Sequence, residues 1–140
     1  MTALTPAEFL RTVYVGDRAC KAIRIESWRK EVVLEVDEIS RIRSPSGEWN
    51  FYTAEDIADG RIVFTGVESI YFEPPGLLPN DFINEITVRP ADGEPDKRWV
   101  FEASISSVAP DGSSAEVTVR IIGSDVHLED PARGDLKIRE

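Results

Sequence analysis

The sequence predicts a mainly β fold, an antiparallel β-sandwich or strongly bent sheet of about eight or nine strands with one N-terminal α-helix. Apolar and polar residues alternate with a period of two over most of residues 18–129, which is typical of strands that bury one face. No helix long enough for a parallel crossover separates these strands, so their pairing is expected to be antiparallel. The chain has 140 residues, which suits a single domain.

The N-terminal helix is predicted over residues 6–15. Thr5 is a favourable N-cap, Pro6 suits the first helical position, and Glu8 completes a capping box with Thr5. One apolar stripe follows at helical spacing, formed by Phe9, Leu10, Val13 and Tyr14. Gly16 is the expected stop signal, and a helix this short needs to dock on the rest of the domain.

The β-rich body is predicted over residues 18–129, with turns where glycine, proline or short polar residues interrupt the alternation. Trp99 begins a long alternating strand, and a second alternating strand follows the turn at Asp111-Gly112, so the two are expected to form a hairpin. Residues 130–140 are a polar tail, which is expected to be either frayed or a short edge strand.

Composition and targeting signals restrict the class of protein. No apolar run approaches the ~20 residues that a membrane-spanning helix needs, and the N-terminus lacks the basic and apolar regions of a secretory signal. The chain has one cysteine, Cys20, which excludes an intramolecular disulfide. These observations favour a protein of the reducing cytoplasm without a membrane partner.

The charge of the chain is strongly acidic and unevenly distributed. Lys and Arg number 16 against 26 Asp and Glu, for a formal net charge of −10. Such a charge repels polyanions, so nucleic acid is not an expected partner. Residues 1–43 sum to +1 and residues 44–140 to −11, and the acidic part would attract a basic partner at low salt. The alternative is that the acidity serves solubility alone.

A metal-binding or carboxylate-based site is one hypothesis for the last predicted strand. Asp125, His127 and Glu129 occupy alternate positions there and would share one face, with Val126 and Leu128 on the other. Their residue types are plausible ligands for a divalent metal. The outer two lie roughly 13 Å apart along a strand, so at most two of the three can reach one ion unaided. The alternative is a solvated polar face.

Other catalytic signatures are missing from the sequence. No serine lies in a Gly-x-Ser-x-Gly turn, and the widely spaced glycines form no phosphate-binding loop. Cys20 lies near the start of the first strand, where a small core residue is expected rather than a reactive thiolate. We therefore expect a protein that is not an enzyme and that needs no cofactor.

Aromatic and acidic residues are concentrated in three predicted loop segments, 49–56, 71–81 and 92–99, and the first two supply the expected partner-binding residues. The hypothesis names Trp49, Tyr52, Glu55, Asp56, Tyr71 and Asp81. Aromatic side chains flanked by carboxylates suit a protein-binding surface, because Trp and Tyr are enriched at interface hot spots. The alternative places the tryptophans at positions 49 and 99 in the core together with Phe51, and leaves only Tyr52 and Tyr71 in contact with water.

One stretch of the body resembles a known group of proteins. The run RIVFTGVESIYF at residues 61–72, followed by Pro75-Gly76 and Pro79-Asn80-Asp81, is similar in hydrophobic spacing to small bacterial proteins of unknown function. Some of these look like immunity proteins of polymorphic toxin systems, and they share a later strand with the pattern of Trp99 and Phe101. The resemblance implies a bacterial cytoplasmic protein that binds and blocks a partner, and the acidic charge would suit a basic nuclease.

Three functional hypotheses follow. The leading one is a non-catalytic protein-binding module, immunity-like in role, that captures a basic partner through an acidic surface with aromatic side chains. The second is a metal-dependent or carboxylate-based enzyme site around Asp125, His127 and Glu129. The third is a structural domain that forms homo-oligomers, with a homodimer joined through open strand edges as its simplest form.

Overall fold

The computed structural model describes residues 4–41, 56–91, 97–134 and 136–139. These residues form one short helix, twelve strands and two 3-10 turns, at Ser27–Arg29 and Pro131–Arg133. The helix and strands, in chain order, are α1 (Pro6–Leu10), β1 (Val13–Tyr14), β2 (Cys20–Glu26), β3 (Glu31–Val36), β4 (Glu38–Arg41), β5 (Ile57–Ala58), β6 (Arg61–Thr65), β7 (Ser69–Glu73), β8 (Ile83–Pro90), β9 (Trp99–Val108), β10 (Ser114–Gly123), β11 (Asp125–Glu129) and β12 (Lys137–Ile138).

The strands of the described ranges pair in three antiparallel sheets, which confirms the predicted fold class. The largest has five strands in the order β12-β11-β6-β3-β2. A four-stranded sheet has the order β7-β10-β9-β8, and a small sheet has the order β1-β4-β5. Within the same ranges, no helix is long and apolar enough to cross a membrane.

The core lies between the two larger sheets in a sandwich-like arrangement. The ring of Phe64 on β6 packs against that of Phe101 on β9, with 4.9 Å between centroids and 58° between planes. Alternate residues of the central strands join them in the core: Val32, Leu34, Val36, Ile62, Ala103, Ile105, Val117, Val119, Ile121, Val126 and Leu128. Full burial of one large apolar side chain contributes roughly 1.5–3 kcal/mol, so this layer is the main source of stability.

The predicted hairpin is present as β9 and β10. Phe101 pairs with Ile121 and Ile105 with Val117. Trp99 is buried, in agreement with the alternative that placed it in the core. Gly112 has a positive φ of 89° in the connecting turn, a conformation that glycine adopts without strain. These two strands form the long central pair of the four-stranded sheet.

The N-terminal helix is shorter than predicted. Its capping box is present, but α1 ends at Leu10, whereas the prediction extended it to residue 15. The Thr12 hydroxyl donates to the Phe9 carbonyl at 2.7 Å, and Nη2 of the buried Arg41 donates to that hydroxyl at 2.9 Å. These bonds end the helix, and the following residues pair with β4 as β1.

Two other details differ from the prediction. Three of the strands, β1, β5 and β12, have only two residues each, too few to show an alternating pattern. They account for most of the excess over the predicted eight or nine strands. The polar tail contains β12, which pairs Ile138 with Leu128 on β11, so the edge-strand alternative is the correct one for that part of the tail.

Candidate functional site

Exposed apolar side chains are concentrated on one segment of the chain. Seven large hydrophobic residues are exposed among the described residues, and four of them belong to the segment from Tyr71 to Phe82. They are Tyr71 (56% exposed), Leu77 (42%), Leu78 (75%) and Phe82 (50%). Large apolar side chains left exposed on one short segment of chain indicate a contact with another protein. We call residues 71–82 the Tyr71–Phe82 segment.

The Tyr71–Phe82 segment lies in an acidic part of the chain. Residues 66–88 contain four carboxylates, Glu68, Glu73, Asp81 and Glu85, and no lysine or arginine. Glu68 pairs with Arg98 at 3.3 Å. Glu73 and Asp81 make no ion pair with any described residue, so their charge is available to a cationic partner.

Hydrogen bonds to β9 hold the last three residues of the segment, 80–82. The Asn80 side chain accepts from the amide of Val108 at 2.9 Å and donates to the Val108 carbonyl at 3.2 Å. The amides of Asn80 and Asp81 both donate to the Ser106 carbonyl, at 3.1 and 3.0 Å. The Ser106 amide in turn donates to the carbonyl of Phe82 at 2.9 Å.

The other side of residues 81 and 82 is held by Ala19 and by Cys20, the first residue of β2. The amide of Cys20 donates to the Asp81 carbonyl at 2.9 Å, and Ala19 forms an isolated β-bridge with Phe82. Phe82 therefore projects from a backbone that is bonded on both sides. A surface that is already ordered loses less conformational entropy when a partner binds.

A shallow cavity of about 300 Å³ adjoins the first half of the segment. Its lining residues are Tyr71, Phe72, Glu73, Glu102, Thr118 and Arg120. Glu102 forms ion pairs with Arg89 and, at 3.5 Å, with Arg120. The hydrogen bond from Arg89 lowers the pKa of Glu102, so this carboxylate is ionised near neutral pH. Its negative charge is balanced by Arg89 and Arg120. Among the charges that line the cavity, only Glu73 has no described counter-ion.

The predicted partner-binding residues have three different outcomes. Tyr71 and Asp81 both lie on the Tyr71–Phe82 segment. Tyr71 and Glu102 pair with Arg120 from opposite sides of β10, and Asp81 is bonded to Ser106. Ser106 is four residues along β9 from Glu102, so the side chains of Tyr71 and Asp81 are about 13 Å or more apart. Asp56 is exposed next to β5 in the small sheet. The remaining three, Trp49, Tyr52 and Glu55, lie outside the described residues.

Sequence reasoning missed two exposed features. Leu77 and Leu78 stand in a stretch that the prolines and Gly76 marked as a loop, and apolar residues in a predicted loop are a usable signal of an exposed patch. Trp28 lies in the predicted turn at Ser27–Lys30 and is 99% exposed, and the same reasoning would have identified it.

The alternative site on β11 has the predicted orientation. Asp125, His127 and Glu129 are paired with Thr65, Val63 and Arg61 of β6, whereas Val126 and Leu128 face the core. His127 Nε2 lies 3.0 Å from Glu129 Oε2. The predicted convergence with carboxylates of other strands has no counterpart in the described ranges, where no group of three or more His, Cys, Asp and Glu side chains is arranged to hold a metal.

Neighbouring arginines form ion pairs with both carboxylates of that face, Asp125 and Glu129. Arg61 Nη1 lies 4.0 Å from Glu129, and Arg139 Nη1 lies 3.7 Å from Asp125. His127 itself is only 1% exposed, and its Nδ1 has no hydrogen-bond partner among the described residues. The geometry is that of a buried histidine held by Glu129 within a row of ion pairs.

Cys20 is a core residue, as predicted. Its side chain is buried, and burial raises the pKa of the thiol to about 11. The thiol is therefore protonated near neutral pH and is a poor nucleophile.

Comparisons with known proteins give a family without a described activity. No curated protein matches the chain significantly, and neither does any solved structure. One family model, described as a family of unknown function, matches residues 4–140. This match spans the helix, all twelve strands and the Tyr71–Phe82 segment, and the chain therefore belongs to the family DUF6258.

Proposed function

We propose that the protein is a non-catalytic protein-binding module that captures a basic partner. The observation that carries the proposal is the Tyr71–Phe82 segment, with four exposed large apolar side chains in a stretch of 23 residues, 66–88, that has four carboxylates and no cation. Burial of aromatic and apolar side chains supplies most of the energy of a protein interface. Unpaired charges around them set the approach and the choice of partner.

Binding proceeds in two steps in this proposal. The negative field of the chain first attracts a surface rich in lysine and arginine, and Glu73 and Asp81 pair with it. Tyr71, Leu78 and Phe82 then pack against apolar groups of the partner and exclude water. Trp49, Tyr52 and Glu55, which lie outside the described residues, stay predicted partner-binding residues.

The resemblance to immunity proteins suggests what the partner is in the cell. A basic toxin, such as a nuclease whose own site binds polyanions, is the partner class that the acidic segment fits. The protein would act in a bacterial cytoplasm, where it would cover the toxin without any chemistry of its own. A reading frame for a toxin beside that of this chain would support this form of the proposal.

Comparative capture from a lysate of the source cells tests the function. The baits are the immobilised wild type, a Leu77→Ser/Leu78→Ser variant and a Trp28→Ser control, whose change lies in another exposed turn. We expect a protein with an excess of Lys and Arg to be retained at low salt by the wild type and the control and lost from the double variant. If every protein retained by the wild type is retained equally by the double variant, the Tyr71–Phe82 segment is not a binding surface.

A further inference from the structure

Trp28 is the most exposed large apolar side chain among the described residues. It lies on the 3-10 turn Ser27–Arg29, at the tip of the hairpin formed by β2 and β3, and is 99% exposed. The turn is defined by Lys30, whose φ of 56° is left-handed and whose amide donates to the Ser27 carbonyl at 3.2 Å. Tryptophan is strongly enriched at interface hot spots, so a fully exposed indole on a fixed turn indicates a contact with another molecule.

An apolar groove lies directly beside this turn. It has a volume of about 200 Å³ and lies between the β2–β3 hairpin and the chain leading into β7. Its lining residues are Ile25, Ser27, Lys30, Glu31, Val32, Val67, Glu68, Ser69 and Ile70. The amide of Val67 donates to the carbonyl of Lys30 at 2.9 Å, which fixes one wall. Ile25 is half-exposed in the groove, so apolar surface is open to an incoming side chain.

We propose that the occupant of this groove is Trp28 of a second copy of the chain, in a two-fold symmetric homodimer. Trp28 does not fill its own groove, because it is fully exposed, but tip and groove adjoin each other on one end of the molecule. A two-fold axis at this end places each indole opposite the other chain's groove, which makes the contact self-complementary. The proposal concerns a different surface from the Tyr71–Phe82 segment and does not depend on the proposed function.

The charges around the tip and the groove are complementary in the same arrangement. Arg29 follows the tryptophan, whereas Glu31 borders the groove. Neither Arg29 nor Glu31 forms an ion pair with a described residue, so both are available across the interface. The reciprocal arrangement therefore brings Arg29 of each copy towards Glu31 of the other.

The size of the contact sets the expected strength. Each buried indole removes roughly 150–250 Å² from water, and two such contacts with their surroundings fall at or below the ~1,200 Å² of a small specific interface. The expected dimer is therefore weak and depends on protein concentration.

Sedimentation velocity over a dilution series tests the proposal on the full chain. Four proteins are compared: the wild type, Trp28→Ser, which removes the inserted side chain, Ile25→Lys, which places a charge in the groove, and Leu78→Ser as a control on the other surface. All three changes are at exposed positions, and circular dichroism checks that each variant is folded. We expect the wild type and Leu78→Ser to dimerise as concentration rises, and the other two to stay monomeric.

A mixing experiment separates insertion into the groove from other modes of association. Trp28→Ser keeps an intact groove and Ile25→Lys keeps an intact tryptophan, so a mixture of the two can form one of the two reciprocal contacts. We expect a heterodimer weaker than the wild-type dimer and absent from either variant alone. A wild type that stays monomeric, or a Trp28→Ser variant that dimerises as well as the wild type, overturns the proposal. Dimerisation by Ile25→Lys alone also overturns it, since the tryptophan would then bind outside the groove.

Discussion

The side chain of Asn80 and the backbone of Val108 exchange two hydrogen bonds. The Val108 amide donates to Asn80 Oδ1 at 2.9 Å, and Asn80 Nδ2 donates to the Val108 carbonyl at 3.2 Å. The amide side chain thus pairs with the last residue of β9 as a neighbouring strand would. This pair anchors the C-terminal end of the Tyr71–Phe82 segment on the four-stranded sheet.

Substitution of Asn80 tests this role. Asn80→Ala leaves both backbone groups of Val108 without their partner, and we expect it to lower the free energy of unfolding by about 1 kcal/mol, since water can reach the site. Faster hydrogen exchange should be confined to the residues around position 80. Asn84→Ala is the matched control, because the Asn84 side-chain bonds are long, at 3.4 and 3.5 Å. An equal effect of both substitutions would show that the Asn80 pair has no special role.

Two phenylalanines separate the stabilising core from the proposed binding surface. Phe64 is fully buried and Phe82 is 50% exposed. Phe64→Ala is expected to cost about 3–5 kcal/mol through lost burial and a residual cavity, and Phe82→Ala less than about 1 kcal/mol. Denaturation in urea measures both. Similar losses for the two variants would contradict the assignment of Phe82 to a surface.

The reactivity of Cys20 reports on the integrity of the core. Because burial raises the pKa of its thiol to about 11, we expect alkylation of the native protein in mildly alkaline buffer to be about 100-fold or more slower than in urea. The rate is followed by mass spectrometry, with the unfolded chain as the reference. Rapid alkylation of the folded protein would show that the thiol is accessible and that this end of β2 opens readily.

Glu102 gives a pH dependence with a defined sign. Hydrogen bonding to Arg89 lowers its pKa in the folded state below the ordinary 4.5, so the folded state favours the ionised form. The resulting stability is present above 4.5 and disappears as the pH falls through the folded-state pKa. We expect Glu102→Gln to be less stable than the wild type near neutral pH, by about 0.5 kcal/mol, and equally stable in strong acid. A difference between the two proteins that persists in acid would contradict the ion-pair explanation.

The sequence predicts the sheets better than the ends of the elements. The alternation from Trp99 to residue 121 specified both long strands of the hairpin, because each buries one continuous face. The helix was overextended because Val13 and Tyr14 continue the helical spacing. Their pairing with β4 depends on Arg41, which lies far along the chain and bonds to Thr12. Such a tertiary contact overrides local preference and has no signature in a local pattern.

The exposed residues of the proposed binding segment were predicted in part, for a related reason. Tyr71 was identified because an aromatic residue in an acidic region is conspicuous. Leu78 was not, although its place in a predicted loop was a usable signal. Phe82 was not either, since an apolar residue is expected inside, and its exposure follows from the bonds that hold Asn80 and Asp81 on β9. The sequence thus shows which residue types a segment contains, whereas its place on the surface is known only once the fold is known.

The central claim is that the Tyr71–Phe82 segment binds a basic protein. Its most direct test is the dissociation constant of the captured, purified partner, measured by titration calorimetry for the wild type, Leu77→Ser/Leu78→Ser and Trp28→Ser at low and physiological ionic strength. We predict at least about tenfold weaker binding by the double variant, unchanged binding by Trp28→Ser, and weaker binding of the wild type at the higher ionic strength. Equal affinities of the wild type and the double variant, or affinity that does not respond to salt, would contradict the claim.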